Sequence, residues 1–119
     1  MPQFEIEYFE DENGSRPAEE FILSLPIKMR AKTFQLLVLL EERGNVLREP
    51  YSKLLEDGIF ELRIKQGNNI TRILYFFVLH GKIILTNGFI KKSQKTPKRE
   101  IEKAKENRKE YLRRTHNEK

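Results

Sequence analysis

"GIFELRIKQGNNITRILYFFVLHGKIILTNGFI", residues 58–90, decides the fold. In its first third Leu62 and Ile64 fall on one face of an extended chain, and Glu61, Arg63 and Lys65 fall on the other, the period-two alternation of a strand with one buried face. "QGNN" is a polar turn, and "ITRILYFFVL" is apolar on both faces except at Arg72, as in a central strand. "HG" then reads as a two-residue hairpin turn into "KIILTNGFI". The stretch predicts an antiparallel meander with strands at 59–65, 70–78 and 82–90.

Outward from the meander, "QFEIEYF" alternates Phe4, Ile6 and Tyr8 against Gln3, Glu5 and Glu7, predicting a further strand. "EDENGS" ends it. Ser15 and Pro17, followed by Glu19 and Glu20, signal a short helix with acids at the positive end of its dipole. A longer helix is expected over 27–43, with Pro26 in its first turn, Gly44 as its stop and an apolar stripe through Phe34, Leu37, Val38 and Leu40. "NVLREPYS" reads as a loop. Thr96 and Pro97 cap a last helix carrying Ile101, Ala104, Arg108, Tyr111 and Leu112 at helical spacing, with residues 112–119 as a frayed tail. The expected class is α+β: one domain, 1–119, in which helices pack on one face of an antiparallel sheet and the other face is at most partly covered.

The size suits this, since 119 residues and 14.2 kDa supply one core. Charged residues make up 34%, but eight Phe and four Tyr oppose disorder. The absence of cysteine excludes disulfides, thiolate metal sites and cysteine nucleophiles. The N-terminal stretch is acidic, with too short an apolar run for a signal peptide, and no segment has the length to span a bilayer, so a cytoplasmic protein with no membrane partner is expected. The net charge of +5 is unevenly spread: residues 1–20 hold seven acids against one base, and residues 91–119 hold twelve bases against five acids. Such a basic segment attracts nucleic acid, acidic protein or lipid head groups through salt-dependent fields.

The common catalytic sets are missing. His80 belongs to a turn and His116 to the tail, the carboxylates do not pair, no cluster has metal-ligand spacing, and the glycines form no phosphate-binding loop. What remains is a set of cations on strands. Arg72 interrupts the most hydrophobic strand of the chain and needs an anion opposite it. An internal carboxylate such as Glu61 and a bound phosphate are equally good candidates. Were the three segments neighbours, Arg63, Arg72 and Lys92 would converge on one phosphate ester.

The ordered series "PAEEFILSLP", "REPYSKLLEDGIFELRIK", "TRILYFF" and "NGFIKKSQKTPKREIEKA", over residues 17–105, resembles the HigB-like, phage-derived branch of the RelE/ParE superfamily of bacterial toxins. That resemblance implies a small ribonuclease, working without cofactor or metal, that cleaves messenger RNA on the ribosome and is held inactive by a helix-turn-helix antitoxin. It places Arg63, Arg72 and Lys92 in the cleavage site, with Lys65, Lys91, Lys95 and Lys98 holding RNA. Many relatives carry a histidine where this chain has Asn87, and Tyr111 is the candidate for a late tyrosine found in another branch. Two other classes stay open: a superfamily toxin that blocks a protein target such as gyrase, and a nucleic-acid-binding module without activity.

Overall fold

Pro26 and Gly44 bound the helix over residues 27–43 as their chemistry requires. Pro26 is extended at φ −56°, ψ 152°, and Gly44 leaves the helix at φ 53°. A side chain at Gly44 would be strained by that φ and would overlap the ring of Phe4. The computed structural model describes residues 4–92 and 95–117, with side chains to Thr115. Its elements are β1 (Glu5–Tyr8), α1 (Pro17–Leu23), α2 (Ile27–Arg43), β2 (Ser52–Glu56), β3 (Ile59–Gln66), β4 (Asn69–Val78), β5 (Lys82–Ile90) and α3 (Lys98–Asn117), with single 3-10 turns at Gly44–Val46 and Leu79–Gly81.

The strands form one sheet in the order β1-β5-β4-β3-β2. The predicted meander is there: β3, β4 and β5 pair antiparallel in sequence, and β4 is internal. β1 adds to β5 in parallel, with Glu5 opposite Lys82. The fold class is therefore α+β, with a sheet that is antiparallel except at that edge.

One face of the sheet carries α1 and α2 over a core that includes Ile22, Met29, Leu40, Leu62, Ile73 and Leu85. Here Phe60, Tyr75 and Phe77 pack ring to ring at 5.2–5.7 Å, and the Tyr75 hydroxyl bonds to Ser52 Oγ. Gly88 on β5 leaves room for the ring of Phe21, which a Cβ would overlap. The opposite face carries α3 over a smaller cluster of Phe9, Ile59, Leu74, Phe76, Ile84, Phe89 and Ala104.

Four expectations are corrected. The hairpin between β4 and β5 has three residues, Leu79–Gly81, because both His80 (φ 69°) and Gly81 (φ 75°) adopt left-handed backbone and Val78 pairs with Lys82. The stretch between the expected loop and the first meander strand, to which no element was assigned, is β2, an edge strand beginning at the loop's last residue, Ser52, with mostly exposed side chains and therefore no alternation to reveal it. In α2 the buried residues are Met29, Thr33, Leu36, Leu37 and Leu40, whereas Phe34 and Val38 face outward at 41% and 56% exposure. The expected C-terminal tail continues α3 to Asn117: Arg114 donates to Glu10 O at 2.5 Å and Thr115 Oγ1 to Tyr111 O at 3.2 Å. Residues 118 and 119 lie outside the described residues.

Candidate anion-binding site

Register places the cations. Arg63 on β3 lies directly opposite Arg72 on β4, and Arg72 lies opposite Phe89 on β5. Like charges in this relation repel, and both side chains stand on the face shared with α3. The compensating anion is Glu61, two residues before Arg63 on the same face. Glu61 is 1% exposed, and its Oε2 accepts from Arg63 Nε at 3.2 Å while lying 3.4 Å from Arg72 Nε. Its other oxygen accepts from the hydroxyl of Thr96.

The internal carboxylate considered for Arg72 is thus present, but it is shared. Arg72 Nε is buried without a well-directed hydrogen bond, so its approach to Glu61 is mainly electrostatic. Its Nη1 donates to Thr71 O at 3.2 Å. Burial, foremost, lowers the pKa of Arg72, and Glu61 works against that shift. Arg63 is the more open of the two, with a side chain 22% exposed and a second ion pair to Glu49 at 3.4 Å. Its backbone N–H donates to Tyr51 O at 2.8 Å, which fixes the strand beside the β2 connection.

Lys91 completes the cluster. Its backbone N–H donates to Ile70 O at 3.0 Å, carrying the β4–β5 pairing one residue past the strand. Burial lowers its pKa, followed by the field of Arg72, with Arg63 and Lys53 adding to it and Glu61 opposing. Between β2, β3 and the start of α3 lies a cleft of about 210 Å³ lined by Lys53, Glu61, Arg63, Lys95, Thr96 and Ile101. Arg63, Arg72, Lys91 and Lys53 together outnumber the one buried carboxylate. The site therefore favours an anion that presents several oxygens.

Of the residues singled out in the sequence, Arg63, Arg72 and Lys91 come together and Lys95 lines the cleft. Lys92, Lys65 and Lys98 are exposed. Lys91 follows Phe89 in strand alternation and so inherits the face of Arg72, whereas Lys92 has the opposite parity. Asn87 is buried and bridges to α3, its Nδ2 donating to Glu100 Oε1 at 3.1 Å and Glu100 O at 3.3 Å. Tyr111 packs edge-on against Phe76 at 5.8 Å, four residues along β4 from Arg72, or about 13 Å. That separation removes it from the cluster. Thr96 was legible only as a helix cap and carried no signal that it served Glu61, and Lys53 fell in the unrecognised β2.

Several of the C-terminal bases are occupied with acids of this chain. Lys105 pairs with Glu56 at 2.5 Å, Arg108 with Asp57 at 2.9 Å, and Arg113 and Arg114 with Glu110 at 2.6 and 2.8 Å. The two arginines hold the Glu110 carboxyl down at about 2. Among the described residues no group of three His, Asp or Glu side chains is placed to hold a metal ion, and no helix is long and apolar enough to cross a membrane.

The family model Phage derived protein Gp49-like (DUF891) matches residues 20–109. The chain belongs to the Gp49-like family. This is a family of toxin-like proteins, and the matched span contains α2, all of β2 to β5 and the first half of α3, hence every residue of the cationic cluster. No curated protein matches this Gp49-like chain.

Proposed function

We propose that this Gp49-like protein is the toxin of a type II toxin-antitoxin system, of the HigB-like kind, and that it is an endoribonuclease cleaving messenger RNA on the ribosome. The observation that carries this reading is the opposed pair Arg63 and Arg72 on one shared carboxylate, with Lys91 in the same field. An RNA phosphodiester fits such a cluster, and RNA brings its own nucleophile. The 2′-oxygen attacks phosphorus, the bond from phosphorus to the 5′-oxygen breaks, and the products are a 2′,3′-cyclic phosphate and a 5′-hydroxyl. One proton leaves the 2′-hydroxyl and one reaches the departing 5′-oxygen.

The protein's part is to stabilise charge on the phosphorane-like transition state. Arg63, with its open guanidinium, contacts a non-bridging oxygen. Arg72 supplies charge from behind. The arginines do not release protons near neutrality, so proton transfer falls to a lysine, and Lys91 is suited to it because burial and neighbouring cations lower its pKa. Lys95 and the exposed Lys65, Lys92 and Lys98 hold the flanking backbone.

The test expresses wild type and Arg63→Ala from a tightly repressed promoter and maps transcript ends. Wild type is expected to arrest growth and to generate 5′-hydroxyl ends, and the variant to lose cleavage by about 100-fold or more, the usual effect of removing one transition-state donor. Growth arrest with intact transcripts would overturn the ribonuclease and favour a protein target.

A further inference from the structure

The outward face of α2 is apolar where a solvated helix would be polar. Ile27, Phe34 and Val38 are 74%, 41% and 56% exposed, and Ala31 between them is exposed as well. At about 100° per residue these four lie within about 60° of one another, a straight stripe along most of the 17-residue helix. The stripe is separate from the buried set that faces the sheet, so α2 has two apolar faces and only one is covered.

The charges beside the stripe run against the helix dipole. The first turn has no acid and carries Lys28 and Arg30, while Glu41 and Glu42 sit in the last turn with Arg43. Each such placement destabilises an isolated helix. Lys28 and Glu42 are both exposed and have no ion-pair partner among the described residues, and both lie on the same side of the stripe.

We infer that this face pairs with α2 of a second copy of the chain, antiparallel about a two-fold axis near residue 35. In antiparallel packing the flanks on the same side of two stripes face each other. Lys28 of each copy then meets Glu42 of the other, so both pairs form at once and each dipole end receives the charge it lacks. The two Phe34 side chains meet near the axis, with Ala31 opposite Val38. The self-complementarity of the charges is what selects a second copy as occupant. A pair of helices of this length, about 25 Å each, buries on the order of 1,000 Å² in total, the lower edge of specific interfaces, so the dimer dissociates on dilution. The cationic site lies on the other face of the sheet, and dimerisation leaves both copies of it open.

Sedimentation of the purified chain over a concentration series tests this. A monomer–dimer equilibrium is expected that weakens at least tenfold in Lys28→Glu, in Glu42→Lys and in Phe34→Glu. Mixing the Lys28→Glu protein with the Glu42→Lys protein should restore a dimer of one each, as should both changes in one chain, which keeps the test informative if a single variant is poorly behaved. A wild type that stays monomeric at all concentrations overturns the inference, including where this face captures a different protein. So does association that Phe34→Glu leaves unchanged, or single-charge variants that mixing does not rescue.

Discussion

Glu61→Gln is expected to cost more stability than Arg72→Ala, although the two residues form the same ion pair. Removing one partner of a buried pair ordinarily costs about 3–5 kcal/mol, because it leaves the other charge uncompensated. Arg72→Ala does not do that. Glu61 keeps Arg63 at 3.2 Å and the Thr96 hydroxyl, the repulsion between directly opposed Arg63 and Arg72 vanishes, and the burial that lowers the Arg72 pKa is no longer opposed to a charge. What remains is the lost attraction at 3.4 Å and the lost packing of the stem, together about 1–2 kcal/mol. Glu61→Gln keeps the side-chain shape and an acceptor for Thr96 but leaves two guanidinium groups facing each other, one of them only 8% exposed, and the full 3–5 kcal/mol applies in round terms. At about 4 °C per kcal/mol for a chain of this size, thermal melts separate the two cleanly, and urea titration supplies the free energies. An Arg72→Ala protein as destabilised as Glu61→Gln, or more so, would refute the view that Glu61 is the organising charge. In transcript-cleavage assays Arg72→Ala should be inactive while still folded.

Two further outcomes follow from the same geometry. Burial pushes the Tyr75 hydroxyl up to about 12 from 10.0, and the Ser52 bond opposes that shift. Because the folded pKa is raised, the stability this group contributes is present below pH 10 and is lost as pH rises towards 12; Tyr75→Phe should cost about 1–2 kcal/mol at neutral pH and make alkaline destabilisation shallower in urea titrations, and an unchanged alkaline slope would count against the buried hydroxyl. Lys91→Gln should reduce the salt dependence of single-stranded RNA binding, measured by fluorescence anisotropy, by about 0.7 in the log–log slope, whereas Arg113→Gln, whose guanidinium is held by Glu110, should leave it unchanged.

The elements most legible in the sequence were those whose burial is one-sided or complete. Alternation located β3, an apolar run on both faces located β4, the turn after it led to β5, and Pro26 and Gly44 marked the ends of α2 to the residue. β2 escaped because Lys53, Leu54 and Glu56 are exposed and Leu55 packs only partly inward, so this edge strand shows no period. The stripe on α2 was misassigned because apolar residues surround that helix, and spacing alone does not say which face meets the sheet. Arg72 could be recognised as needing an anion. That the anion is Glu61, shared with Arg63, depended on the register that sets Arg63 against Arg72 and Glu61 one diagonal away, and register between strands is not written in either strand. Lys91 rather than Lys92 joined the cluster by strand parity carried past Ile90.

The parallel pairing of β1 with β5 also dictates when the molecule can become whole. Glu5 is in register with Lys82, so β1 waits for β5, the last of the described strands, before it has a strand beside it. At about 5–20 residues per second that interval is on the order of 4 to 16 s. Lys91 and Thr96 emerge later still, and without them the cluster around Glu61 is missing its third cation and its hydroxyl donor. A nascent chain that has not yet emerged past Thr96 therefore carries Arg63 and Arg72 without the finished cluster around Glu61.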